Sequence, residues 1–172
     1  MKETNVFIGL GSNLGDKKAT LISAIDKIHN HQDIEINQIS NYYYSEPWGF
    51  DSTEYFLNCV VELRTILSPL ELLTTFKAIE YELGRTRKFT NEYQNRTIDI
   101  DILYFNNQIF DLNDLTIPHP RIKERLFVLK PLSEIAPHFK DPISLISMEE
   151  LFKKCKDVSN IFTEETYLNR VN

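Results

Sequence analysis

Two cysteines, one tryptophan and five glycines are all that 172 residues hold of those types, and each scarcity excludes something. Cys59 and Cys155 lack CxxC spacing; two thiols so far apart fit a reducing compartment and small buried hydrophobes, although counting alone leaves one disulfide open. Five glycines and seven prolines are too few for disorder, collagen or low complexity. No apolar run approaches a membrane span, and the one near Met1 is too short for a secretory core, so the expectation is a cytoplasmic chain with no membrane partner. Positive charge is also short. Lys and Arg number 19 against 25 Asp and Glu, a net charge of −6, the wrong balance for tracking a nucleic-acid backbone. Any anion site must be a local basic cluster on an acidic body.

What is present is a 42% apolar chain of single-domain length, read as one domain over residues 1–172. Asn5 to Leu10 is a short apolar run ended by Gly9, Gly11 and Gly15, and Leu21, Ile22, Ile25 and Ile28 then recur at helical spacing behind Asp16. Ile34, Ile36 and Ile39 through Tyr44 read as a second strand, stopped by Ser45-Glu46-Pro47-Trp48-Gly49. Tyr55 to Thr65 is a third strand, with Phe56, Asn58 and Val60 on one face and Leu57, Cys59, Val61 and Leu63 on the other. Ser68-Pro69-Leu70-Glu71 is a capping box opening a helix that runs to a stop at Gly84. Ile98 to Phe105 is a strand, Glu124 to Leu132 and Met148 to Lys154 are short helices, and residues after about 150 carry no functional signal. The order β-α-β-β-α-β predicts an α+β fold, a ferredoxin-like βαββαβ core with an antiparallel sheet and helices packed on it, extended at the C-terminus.

Chemistry concentrates at Asp99-Ile100-Asp101. In a strand, residues i and i+2 project from one face roughly 6.5–7 Å apart, so both carboxylates can converge on one or two hard cations. An exposed strand face paired to nearby bases is the plainer alternative. Seven basic residues, Arg85, Arg87, Lys88, Arg96, Arg121, Lys123 and Arg125, lie in two short stretches around these aspartates. Carboxylates and guanidiniums together describe a magnesium–nucleotide site, whereas a solvated charge run explains either set alone. His119, in the stiff Pro118-His119-Pro120 turn, either contacts a phosphate or ribose or is structural. The glycine turn matches neither a dinucleotide fingerprint nor a P-loop.

Six blocks, in order, resemble one family. They are Ile8 to Asp16 (IGLGSNLGD), Phe56-Leu57-Asn58, Ile79-Glu80 leading to Gly84-Arg85-Thr86-Arg87, Arg96 to Leu103 (RTIDIDIL), Ile117 to Pro120 (IPHP) and Pro131 to Pro137 (PLSEIAP). The sequence resembles 6-hydroxymethyl-7,8-dihydropterin pyrophosphokinase over most of its length. That resemblance implies transfer of diphosphate from ATP to the pterin hydroxymethyl group with release of AMP, on the route to folate. It implies Asp99 and Asp101 as ligands of two Mg2+ ions, with Arg85 and Arg96 steadying the phosphates. Lys77, Glu80, Arg87, Ile102, His119 and Arg125 join Arg85 and Arg96 as ATP contacts by the same resemblance. Ser45, Pro47, Trp48, Phe56, Asn58 and Phe127, with Asp99, are the implied pterin contacts, and the Pro47-Trp48-Gly49 segment and residues 85–95 the implied lids over pterin and ATP. One stretch departs: Glu92-Tyr93-Gln94-Asn95 stands where the family usually has a basic residue, tryptophan, glycine and proline. There Lys88 supplies the charge and Tyr93 the aromatic ring. The expected partners are small molecules, with no nucleic acid, and the expected state a monomer, a weak dimer being the alternative. Rival readings are another magnesium-dependent nucleotide transferase and a non-catalytic ferredoxin-like RNA-binding module, which needs exposed aromatics on a basic sheet face.

Overall fold

The computed structural model describes residues 3–85 and 95–171. Strand β1 (Thr4–Ser12) leads through Gly15, at φ +63°, into helix α1 (Lys17–His29), whose first turn Asp16 caps by accepting the Ala19 N–H at 3.0 Å. The expected second strand is in fact two, β2 (Ile34–Ile39) and β3 (Tyr43–Ser45). Ser40 is the reason. Its N–H donates to the Val60 carbonyl at 2.9 Å, but its hydroxyl, not a backbone carbonyl, accepts the Val60 N–H at 2.9 Å, so the ladder breaks there. Strand β4 (Phe56–Thr65) and helix α2 (Pro69–Glu82) follow as expected. Ser68 Oγ accepts the Glu71 N–H while the Glu71 carboxylate accepts the Ser68 N–H at 2.8 Å. Strand β5 (Asp99–Phe105) is followed by a hairpin that the periodicity did not announce, β6 (Phe110–Leu112) and β7 (Leu115–Ile117). The helix expected over 124–132 is shifted: a 3₁₀ turn covers Ile122–Glu124, extended Arg125 interrupts it (φ −121°, ψ 104°), and α3 spans Leu126–Ile135. Helix α4 (Met148–Lys154), strand β8 (Ile161–Thr163) and helix α5 (Glu164–Val171) complete the chain.

The main sheet runs β5-β1-β4-β3-β8, with β2 also on β4, and every pairing is antiparallel. Without β8 this is the ferredoxin-like order. Helices α1 and α2 cover one face, where Leu21, Ile28, Leu72 and Phe76 pack on Val6, Ile8, Leu57, Ile98 and Ile100. Helices α3 and α4 cover the other with Val128, Leu129, Leu132 and Met148 on Phe7, Val60 and Leu103. Each such aliphatic or aromatic burial is worth about 1.5–3 kcal/mol before the entropy of ordering is set against it. A bulge in β5 sharpens the division: Phe7 faces Tyr104 and Ile8 faces Ile102, leaving Leu103 unpaired, so Leu103 and Tyr104 both enter the second core. No described helix is long and apolar enough to cross a membrane. At the end of the second face beyond α3, a cleft opens between β5, β1 and β4.

Candidate active site

Strand alternation places the carboxylates. Ile98, Ile100 and Ile102 are 0, 4 and 3% exposed in the first core, so Asp99 and Asp101 project from the opposite face into the cleft. Asp99 pairs across to Gly11 and Asp101 to Gly9, and on the far side of β1 the same glycines pair with Asn58 and Val60. Two residues without side chains therefore make a floor between the carboxylates and Asn58. The cleft above it measures about 640 Å³ including its open mouth. A β-carbon at Gly11 would lie 2.9 Å from Asn58 Oδ1, so the floor is as close to Asn58 as backbone allows.

The two aspartates differ in charge balance. Arg85 Nη1 donates to Asp99 Oδ1 at 2.7 Å, and Arg96 Nη1 to Asp99 Oδ2 at 2.7 Å. Behind them Glu80, 8% exposed, accepts from both Arg85 and the Ile100 N–H, the latter at 2.7 Å. Burial pushes the Glu80 carboxyl up, partly offset by Arg85. Asp101 has more distant company, Arg125 Nη1 at 4.0 Å and His119 Nε2 at 3.9 Å. Burial and then repulsion from Asp99 push its carboxyl up to about 7, with Arg125 opposing. Its side chain still keeps 37% of its surface open to the cleft, so water screens part of that effect. His119 is pushed down to about 4 by burial and by Arg125. Its Nδ1 accepts the Arg121 N–H at 3.2 Å, which assigns the neutral ring's proton to Nε2, the atom nearer Asp101.

The other end of the cleft is aromatic and amide-bearing. Asn58, 4% exposed, donates through Nδ2 to Ser45 Oγ at 2.9 Å and to the Tyr43 carbonyl at 3.3 Å, which fixes the amide and turns Oδ1 toward the glycine floor. Phe56, Phe50, Trp48 and Phe127 line the same end. The Arg125 guanidinium lies 4.9 Å from the Trp48 ring and 5.7 Å from that of Phe127, and Arg96 lies 5.7 Å from the Phe56 ring.

Most of the residues singled out in the sequence meet here: Arg96, Asp99, Asp101 and Arg125 at one end, Ser45, Trp48, Phe56, Asn58 and Phe127 at the other. Arg85 and Glu80 stand behind Asp99 and His119 beside Asp101. Pro47 lies in the lip next to Trp48. Lys77, one turn before Glu80 on α2, has no ion pair with either aspartate, and the Ile102 side chain is packed in the first core, away from the cleft. The basic cluster is also smaller than its spacing implies. Arg121 pairs with Glu124 at 3.4 Å and Lys123 with Asp141 at 3.1 Å, so neither reaches the aspartates. Arg87, Lys88 and Tyr93 lie outside the described residues.

Glu46 and Phe50 line the cleft without having been singled out, and Asn13 was quoted only within the glycine run. Fully buried, Asn13 accepts the Arg96 N–H through Oδ1 at 2.8 Å and donates its own N–H to the Arg96 carbonyl at 3.2 Å. It thus brackets the residue whose guanidinium holds Asp99. Its one signal in the sequence is a polar residue directly after a core strand. Cys59 is buried in the first core and its thiol is pushed up to about 12 by burial, so it offers no thiolate. Among the described residues no group of three or more His, Cys, Asp or Glu is placed to hold a metal.

Known proteins resemble this chain over most of its length. A family model for 7,8-dihydro-6-hydroxymethylpterin-pyrophosphokinase matches residues 7–137. The 2-amino-4-hydroxy-6-hydroxymethyldihydropteridine pyrophosphokinase of Bacillus subtilis is 44% identical over 129 residues, 75% of this chain and 76% of that protein. The bifunctional protein FolKE of Lactococcus lactis is 36% identical over 167 residues, 96% of this chain and 47% of that protein. Among solved structures, HPPK-DHPS in complex with substrates superposes with a TM-score of 0.74 at 16% identity, over 90% of this chain. The chain spans 43% of that longer protein, so the likeness concerns the fold. The family match takes in β1 with its glycines, β4 with Asn58, β5 with both aspartates and all of α3, and by it this chain belongs to the 7,8-dihydro-6-hydroxymethylpterin-pyrophosphokinase family.

Proposed function

We propose that the cleft transfers the terminal diphosphate of ATP to the hydroxymethyl oxygen of 6-hydroxymethyl-7,8-dihydropterin and releases AMP, a step of folate biosynthesis. The observation that carries this reading is the two-ended floor: paired carboxylates with arginines at one end, a fixed amide among aromatic rings at the other, joined by Gly9 and Gly11 of β1. A flat heterocycle with a donor–acceptor edge suits the second end. There Phe56 and Phe127 supply the ring faces and Asn58, oriented by Ser45, reads the edge. Trp48 and Pro47 form the lip that excludes water, which otherwise competes for the phosphorus.

At the first end, Asp99 and Asp101 offer hard oxygen donors, and the raised carboxyl of Asp101 marks a charge that a cation would relieve. Both fit magnesium, with two ions as our reading; when bound, these ions draw charge from the phosphate oxygens. In the reaction the hydroxymethyl oxygen bonds to the β phosphorus, and the bond from that phosphorus to the α–β bridging oxygen breaks. The bridging oxygen leaves with AMP, and the hydroxyl proton passes to water. Arg85 and Arg96 are held at 2.7 Å from Asp99, and their guanidiniums take phosphate oxygens as charge shifts there. Arg125 steadies the same charge, and His119, neutral at pH 7, donates from Nε2. The remaining ATP contacts are assigned to Lys77, Glu80, Arg87, Lys88 and Tyr93, and the lid over ATP to residues 85–95.

Both cores share one sheet, which supports reading residues 1–172 as one domain, acting as a cytoplasmic monomer on small molecules. An RNA-binding role loses its platform, because helices cover both sheet faces and Tyr43 is 6% exposed. The test is incubation with ATP, Mg2+ and the hydroxymethyldihydropterin while AMP is followed. Acceptor-dependent AMP is expected, and AMP formed at the same rate without the acceptor overturns the assignment.

A further inference from the structure

Residues 155 to 171 lie past the point where the family match ends, and they run back along the acceptor end of the cleft. Leaving α4, Asp157 accepts the Ser159 hydroxyl and N–H on Oδ1, at 2.6 and 2.9 Å, and the Leu126 N–H on Oδ2 at 2.9 Å. Helix α3 has no capping side chain of its own at Arg125, so a carboxylate from 31 residues downstream does that work. Three residues on, Asn160 Nδ2 donates to Glu46 Oε1 at 2.8 Å and its N–H to Oε2 at 3.3 Å. Strand β8 then pairs with β3, setting Ile161 opposite Ser45. Tyr167 of α5 stacks on Tyr44 with centroids 3.8 Å apart and 10° between planes, and Lys18 holds Glu164 at 2.7 Å.

These anchors reach two different lips. Glu46 follows Ser45 and precedes the Pro47-Trp48 lip. Leu126 lies between Arg125 and Phe127, which line the facing wall. Arg125 and Trp48, 4.9 Å apart, are where the lips meet. Among the described residues, the hydrogen bonds that build the carboxylate end run through α2, β5, Arg85, Arg96 and Asn13, and none comes from residues 155–171. We infer that Asp157 and Asn160 are positioning residues for the pterin end: through the Leu126 N–H and the Glu46 carboxylate they set the gap between the Trp48 lip and the Arg125–Phe127 wall. They thereby fix acceptor affinity without touching the acceptor; Asn160, bonded to Glu46, leaves ATP binding alone, whereas Asp157, through Leu126, also carries the neighbouring Arg125. The inference rests on the function proposed above.

The test is steady-state kinetics of full-length Asp157→Ala, Asn160→Ala and the double variant, varying each substrate at saturation with the other. Each single change removes hydrogen bonds of or to a charged group, and the acceptor KM rises about fivefold or more in both, while in Asn160→Ala the ATP KM stays within about twofold. Asp157→Asn, which keeps an acceptor oxygen for Leu126, recovers most of the loss. The double variant costs less than the product of the singles, since both act on one gap. Asn160 is exposed, so its alanine variant folds even where Asp157→Ala melts early. An unmoved acceptor KM in Asn160→Ala, or a parallel rise in that variant's ATP KM, overturns the inference while wild-type turnover stands. Wild-type enzyme that makes no acceptor-dependent AMP overturns the proposed function and this inference with it.

Discussion

Replacing Gly11 by alanine tests the floor of the cleft with one methyl group. The added carbon would lie 2.9 Å from Asn58 Oδ1, where ordinary contact begins at 3.4 Å, so the amide must retreat by about half an ångström. Asn58 cannot do so freely: it is buried, and its Nδ2 is tied to Ser45 Oγ and the Tyr43 carbonyl. Losing one or both bonds costs about 0.5–1.5 kcal/mol each, against which alanine in a strand returns roughly 0.5–1 kcal/mol. The net loss is up to about 2.5 kcal/mol, or at most about 10 °C in Tm at roughly 2–4 °C per kcal/mol for a chain of this size. The larger expected effect is on the acceptor, whose KM rises about tenfold for each 1.4 kcal/mol of recognition lost. The ATP KM is unchanged, because Arg85, Arg96 and Asp99 do not touch the added methyl. Gly9→Ala is the control: its β-carbon meets Leu103 at 3.5–3.7 Å, ordinary contact, so Tm and both KM values stay near wild type. Thermal melts and two-substrate kinetics on both variants decide the matter. Wild-type acceptor KM in Gly11→Ala, or equal damage in Gly9→Ala, refutes the reasoning.

Other expectations follow from the charges. Asp99→Ala lowers kcat/KM by at least about 10³ with the fold retained by circular dichroism, and chelation of Mg2+ stops wild-type turnover until the ion is restored. Asp101 has a folded carboxyl raised to about 7, so its contribution to stability is full below the ordinary carboxylate range and is lost as pH rises through about 7. Metal-free Asp101→Asn therefore melts above wild type at pH 8, and the difference shrinks toward pH 5; a gap that widens in acid contradicts the assignment. Glu80→Ala strands the buried Ile100 N–H and costs about 1.5–3 kcal/mol, or roughly 3–12 °C in Tm. Glu80→Gln keeps an acceptor oxygen and loses less than half of that in the same melt.

The features legible in the sequence were those with a period. Isoleucines alternating with Asp99 and Asp101 announced both the strand and the face that carries the carboxylates, and the capping box at Ser68 placed α2 to within a residue. Asn58 on the face of Phe56 was legible for the same reason. What escaped depended on contacts between distant residues. No local pattern shows that the Ser40 hydroxyl replaces a carbonyl and splits β2 from β3, or that α3 begins at Leu126 because a carboxylate arrives from Asp157. The basic cluster misled because sequence distance counts charges without their partners, and Arg121 and Lys123 had nearer acids in Glu124 and Asp141.

The alternation of β5 also bears on which genetic changes this chain can survive. Its odd-numbered carboxylates and even-numbered isoleucines share one backbone, pinned to β1 with Asp99 opposite Gly11. Losing or gaining one codon between Thr97 and Ile102 would turn the isoleucines out into the cleft and the aspartates into the first core. Point substitutions there can be graded, whereas length changes are all-or-none, and a chain that pairs this strand one step out of register has neither a core nor a site. Catalytic competence in a refolding mixture is then a direct count of the molecules in which β5 found its register on β1.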